Sequence, residues 1–88
     1  MRKLFATRQF QKDFRELNRA VQEAADVVSM ALIANPVHPT LRSKKLAGFS
    51  NPDLWRVYVG PYRLVYSYNE TSVTLHRIRH RKDVYRSL

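Results

Sequence analysis

Apolar residues recur at Phe10, Phe14, Leu17, Val21, Ala25, Val28 and Leu32, at spacings of 4, 3, 4, 4, 3 and 4. This is the period of one helical face, and it runs too far for the chain that carries it. A continuous helix from Arg8 to Ala34 would be about 40 Å long at 1.5 Å per residue. A compact chain of 88 residues has a radius of gyration of only about 12 Å. The helix is therefore expected to break around Asn18-Arg19 and fold back as a hairpin. Thr7 suits the N-cap of the first helix. Asn35-Pro36 ends the second, because the residue before a proline is pushed out of the helical region.

The segments on either side read as strands. Lys3–Ala6 is a short first strand, with Leu4 and Ala6 on one face and Phe5 on the other. His38 to Asp53 reads as a loop punctuated by Pro39, Gly48 and Pro52, and it carries Arg42, Lys44 and Lys45. From Leu54 the period changes to two. Trp55, Val57 and Val59 alternate with Arg56 and Tyr58, Gly60-Pro61 follows, and Tyr62 to Tyr68 forms the return strand. Asn69-Glu70-Thr71 is a second turn, and Val73 to about His80 is the last strand. The order β-α-α-β-β-β predicts one α+β domain over residues 1–88, a helical hairpin packed on a mostly antiparallel four-stranded sheet.

Gly60-Pro61 suits a two-residue type II′ turn, with glycine supplying the positive φ and proline's fixed φ following it. The turn sets the register: Val59 opposes Tyr62, Tyr58 opposes Arg63, Val57 opposes Leu64 and Arg56 opposes Val65. Trp55, Val57, Val59, Leu64, Tyr66 and Tyr68 then face the helices, while Arg56, Tyr58 and Arg63 gather on the other face. A one-residue slip would bury the arginines, so the pattern locks this pairing. The last strand admits two registers. Continued strictly past Leu75, it buries Arg77 and Arg79 and exposes Ile78. A bulge after Leu75 returns Ile78 to the core and turns Arg77 and Arg79 outward. The sequence leaves both open, and with them the direction of His80.

Sixteen Lys and Arg stand against seven Asp and Glu, a formal charge of +9. Residues 1–40 hold six basic and four acidic side chains; residues 41–88 hold ten and three. Eleven of the cations are arginine, the side chain that grips phosphate with two donors and stacks on bases. This favours a nucleic acid over an acidic protein or an anionic membrane surface as the partner of the C-terminal half, a solvated surface being the plain alternative. There is no cysteine, which excludes a disulfide framework, a thiol nucleophile and a cysteine-based metal site. No apolar run is long enough to span a membrane, and the first eight residues do not read as a signal peptide, so a cytoplasmic protein is expected.

The chemistry is bounded by what the chain lacks. There is no Gly-rich phosphate loop, and the seven acids are scattered, four of them on the helices. A metal-dependent nuclease needs clustered carboxylates, so no metal and no cofactor are expected. Metal-free RNA cleavage needs arginines for the extra phosphorane charge and a group that moves protons. His38, His76 and His80 are each more often structural than catalytic. The stretch His76–Arg86 reads as an RNA-contacting edge or as a basic strand end with a solvated tail, and Tyr85 as a base-stacking residue or a tail anchor.

Three blocks resemble the RelE branch of the RelE/ParE toxin superfamily. They are Lys45-Leu46-Ala47-Gly48-Phe49, the run Leu54 to Tyr66 containing Tyr62-Arg63-Leu64-Val65-Tyr66, and His80-Arg81-Lys82-Asp83-Val84-Tyr85-Arg86. Their order and spacing match over essentially the whole chain. The resemblance implies a microbial ribonuclease-like fold and an endonuclease that cuts mRNA in the ribosomal A site. It also implies a cognate antitoxin that neutralises the enzyme, with operator DNA reached only through that complex. It assigns a catalytic set of Arg56, Arg63, Arg81, Tyr85 and, by analogy with branches that use a late histidine, His80. Lys44, Lys45, Tyr58, Arg77, Arg79 and Arg86 are the expected RNA contacts. The chain departs from the branch at Tyr58, where relatives carry a second lysine, and the proton-transfer roles stay unassigned. Two competing functions remain: inhibition of DNA gyrase, as in the ParE branch, and a non-catalytic nucleic-acid-binding module.

Overall fold

A computed structural model describes residues 1–47 and 53–87. Along the chain lie β1 (Lys3–Ala6), α1 (Arg8–Arg15), α2 (Arg19–Ala34) and a 3-10 turn at Pro39–Leu41. They are followed by β2 (Lys44–Lys45), β3 (Trp55–Val59), β4 (Tyr62–Tyr68), β5 (Ser72–His80) and a second 3-10 turn at Val84–Ser87. Gly48 and Pro52 of the expected loop, and the Gly48-Phe49 end of the first family-like block, lie outside the described residues.

The long helical period breaks where the chain-length argument requires. Asn18 caps α2, its side-chain oxygen accepting from the Val21 amide at 3.0 Å. Thr7 does the same for α1, accepting from Phe10 at 3.1 Å. Each cap satisfies an amide that the first helical turn leaves without a partner. The resulting hairpin turns Phe10, Ala25 and Leu32 into the core, with Phe14, Leu17, Val21 and Val28 packed around them. The radius of gyration is 11.8 Å.

The sheet has the order β1-β5-β4-β3-β2, with β1 parallel to β5 and the other pairs antiparallel. It holds one strand more than expected. The extra strand, β2, is two lysines long, too short to show any period, and it exists because it pairs with β3 and Leu46 donates to the Leu54 carbonyl at 2.8 Å. The β3–β4 hairpin has the register its turn dictates, Tyr58 opposite Arg63 and Arg56 opposite Val65, and Gly60 sits at φ +58°. Behind it, the Tyr66 hydroxyl donates to the Pro36 carbonyl and seats the end of α2 on the sheet. Burial pushes this phenol above its ordinary pKa.

The last strand takes the bulged register. Tyr66 opposes Leu75 and Val65 opposes Arg77, so His76 is the extra residue, and Ile78 returns to the core at 1% exposed. One expectation fails here. Arg77 does not turn out to solvent but lies across Asp13 of α1, with Nε and Nη2 donating to the carboxylate at 2.7 and 3.0 Å. The Ile78 amide, just past the bulge, donates to the same carboxylate at 3.2 Å. The two side chains are only 14% and 6% exposed. A cationic side chain beside a buried carboxylate gains more from pairing than from facing water alone, because neither charge is then left desolvated and unpartnered. The bulged His76 points to the other side of the sheet, where its Nε2 meets the Ser67 hydroxyl at 2.7 Å.

Two outcomes follow from the bulge. Asp13→Ala strands a nearly buried guanidinium and a buried amide, so unfolding free energy in denaturant should fall by about 3–5 kcal/mol. Replacing both partners, as Asp13→Leu with Arg77→Met, should recover part of it; a single variant costing under about 1 kcal/mol would mean the pair is solvated. Burial also holds the His76 imidazole below the ordinary histidine pKa. The unfolded chain then takes up the proton first as pH falls through about 6.5, and stability is lost until the lower folded value is passed. The drop in melting temperature between pH 7.5 and pH 5 should therefore shrink in His76→Gln.

Candidate nucleic-acid interface

Directly opposed residues in a sheet share a face. Lys44 opposes Arg56, Tyr58 opposes Arg63 and Arg63 opposes Arg79. These five side chains therefore stand on the face turned away from the helices. Both Arg56 and Arg63 lie over the Tyr58 ring, with guanidinium carbons 4.3 and 4.1 Å from its centroid. Arg63 Nη1 donates to the Gly60 and Tyr62 carbonyls at 3.2 and 3.1 Å, and Arg56 Nη1 to the Arg42 carbonyl at 3.3 Å. That carbonyl belongs to a left-handed residue, Arg42 at φ 52°, which ends the first 3-10 turn. Among the described residues no carboxylate pairs with either arginine; the ion pairs Arg19–Glu23 and Arg77–Asp13 lie elsewhere.

The C-terminal turn is pinned beside them. Val84 is fully buried and packs with Leu54 and Val65, flanked by Leu46, in a second apolar cluster on this outer face. Val65 is two residues from Arg63 and directly opposite Arg56, so the turn that carries Tyr85 and Arg86 is held next to both arginines. Tyr85 is 37% exposed and Arg86 is exposed. The anchor is thus Val84, a residue that the basic C-terminal run hides. A signal for it exists in the sequence: Val65 on an otherwise polar face needs a cover. Arg81 is exposed at the β3–β4 turn, its amide donating to the Pro61 carbonyl at 3.0 Å.

Three expected site residues are not brought to this face. His80 opposes Tyr62 and, like Ile78 two residues before it, faces the helices; its ring meets Tyr62 edge-on at 5.8 Å and its Nδ1 accepts from the Lys82 amide at 3.3 Å. It lines a recess of about 190 Å³ with Glu16, Leu17 and Asp83. The bulge sets this phase, since returning Ile78 to the core carries His80 to the same side. Lys45 opposes Trp55 and so shares the helix-facing side. Arg77 opposes Val65 in the ladder, but its guanidinium is drawn away to Asp13 of α1. His76 does lie on the outer face, but its partner Ser67 is four residues along β4 from Arg63, about 13 Å at 3.3 Å per residue.

On the opposite side, α1, α2 and β1 enclose an apolar groove of about 470 Å³ lined by Leu4, Phe10, Phe14, Met30 and Leu75. No helix among the described residues is long and apolar enough to cross a membrane.

This architecture is shared with solved toxin structures. RelE of the archaeal RelE-RelB complex from Pyrococcus horikoshii OT3 is 24% identical, with a TM-score of 0.76 over 91% of this chain and 94% of that one. The RelB-RelE complex from Methanococcus jannaschii gives 21%, 0.75, 96% and 98%. The E. coli DinJ-YafQ complex gives 18%, 0.79, 96% and 97%. At these identities the likeness is one of fold. No curated protein matches the chain in sequence. Residues 4–85 match the family described as ParE toxin of type II toxin-antitoxin system, parDE. The chain therefore belongs to the ParE toxin family of type II toxin–antitoxin systems, within the wider RelE/ParE superfamily.

Proposed function

We propose that this toxin is a ribosome-dependent mRNA endonuclease. The observation that carries the reading is the pair Arg56 and Arg63, held on an open sheet face without a carboxylate partner among the described residues. In metal-free cleavage the ribose 2′-OH attacks the adjacent phosphodiester, and the two guanidiniums neutralise the charge that accumulates on the phosphorane. Arg79 and Arg81 lie along the same edge, and Tyr85 is the phenol nearest in sequence to the Val84 anchor. His80 faces the helices, on the other side of the sheet from the arginine pair. With no histidine beside the arginines among the described residues, the site depends on its substrate being oriented by another body, and positioning of that kind contributes about 7–11 kcal/mol. The ribosome supplies it.

The neutralising partner is a cognate antitoxin, as in the RelE-RelB and DinJ-YafQ complexes. The apolar groove and the arginine face lie on opposite sides of the sheet. A partner that fills one and shields the other must be extended and must pass around a sheet edge, carrying apolar residues for the groove and carboxylates for the arginines. Operator DNA is reached only through that complex. A second reading, inhibition of DNA gyrase, is favoured by the ParE family match.

In vitro translation followed by primer extension on the message separates the two. Wild type should cut ribosome-bound mRNA and barely touch the same RNA free in solution. Arg63→Ala should melt as wild type does, because it truncates a strand residue outside both apolar clusters, and should cut roughly 10²-fold more slowly. Equal cleavage of free and bound message, or full activity in Arg63→Ala, would overturn the nuclease mechanism. Failure to cut together with loss of gyrase supercoiling would establish the second reading.

A further inference from the structure

Tyr58 occupies the position where the resemblance expects a lysine, and what it does there is visible in the geometry. Its ring carries two guanidiniums, which are therefore no more than 8.4 Å apart, the sum of their ring distances. Two like charges at that separation repel within a Debye length of about 10 Å at 0.1 M salt. The negative face of an aromatic ring offsets part of that repulsion and replaces the rotamer freedom of two long side chains with one arrangement. The hydrogen bonds reinforce it. Both arginines donate to backbone carbonyls through Nη1 alone. The Nε and Nη2 edge of each, the edge that grips a phosphate with two parallel hydrogen bonds, makes no bond among the described residues.

We infer that Tyr58 is a positioning residue. Its ring sets Arg56 and Arg63 as a prearranged pair for one phosphodiester, and by holding them it ceases to be a platform for a stacking base. This replaces the RNA-contact role expected for Tyr58 from the sequence, and it rests on the nuclease reading only for the identity of the phosphodiester. The two arginines accordingly act as one unit: losing the ring disorders both.

The test uses the isolated chain and needs no cleavage. The Nε–H signals of Arg56 and Arg63 are followed by NMR while the protein is titrated with inorganic phosphate and, separately, with the dinucleotide dTpT, which lacks the attacking 2′-OH. In wild type and Tyr58→Phe both signals should show the ring's shift, and both probes should bind alike. In Tyr58→Leu both signals should lose that shift, and affinity for both probes should fall roughly fivefold or more, with the melting temperature unchanged since Tyr58 is 40% exposed. If Tyr58→Leu weakens dTpT but not phosphate, the ring stacks on a base and the positioning role is wrong. If neither the arginine signals nor phosphate affinity responds, the stack does not order the pair. Because neither probe can be cut, both results are independent of whether the toxin proves to be a nuclease in the cleavage assay.

Discussion

The carboxylate of Asp13 sits where the sheet changes phase. It accepts two hydrogen bonds from Arg77 and one from the Ile78 amide, and so it ties α1 to β5 at the point where β5 slips by one residue against β4. Everything C-terminal to that slip inherits its phase. Ile78 goes inward, Arg79 comes to stand opposite Arg63, and His80 turns towards Tyr62. A buried ion pair is weak evidence for net stability, since apolar residues often serve as well. Here the pair and the buried Ile78 side chain both fit the bulged register, and a sheet slipped by one residue would exchange its two faces.

The two faces have separate duties. The helix-facing side carries the main core, closed over by Phe10, Ala25 and Leu32. Among the described residues the outer side carries an apolar cover at Val65, made by Val84, Leu54 and Leu46, and beside it stand Arg56, Arg63 and Tyr58. The cover is small, and its position decides which part of the outer face stays open. It lies beside Arg56 and Arg63, whose guanidiniums rest on the Tyr58 ring rather than in a core.

Local signals carried most of this fold. The helix break follows from an apolar period too long for the chain, and the hairpin register follows from a two-residue turn. Both are decided by residues close in sequence. The bulge is different. The β5 pattern alone admits either phase, and the carboxylate that meets the bulged form, Asp13, lies 64 residues from Arg77 on another element. A single acid on an amphipathic helix carries no mark of that role. Arg77, in turn, resembles any other cation in a basic run, and only its pairing removes it from the site. His80 is legible as a residue of the family-like block but not as one facing the helices, because its direction depends on the same bulge. The Arg56, Tyr58 and Arg63 part of the arginine face, by contrast, is readable from the alternation of β3 and β4, while Arg79 joins it through the bulge and Lys44 through β2.

The place of β5 in the sheet bears on when the protein can fold. It is the last strand in the sequence, yet it sits between β4 and the parallel strand β1. Lys3 pairs with Ser72 and Ala6 with Leu75, so the first strand finds its sheet neighbour some seventy residues downstream. A nascent chain that has emerged as far as β4 can seat α2 on the β3–β4 hairpin through Tyr66 and Pro36, but β1 still has no strand to pair with. Loop closure of that length is entropically costly and slows folding. The pairing edge of β4 and the whole of β1 stay open until β5 is free, so the middle of the sheet is the last part that the chain can complete.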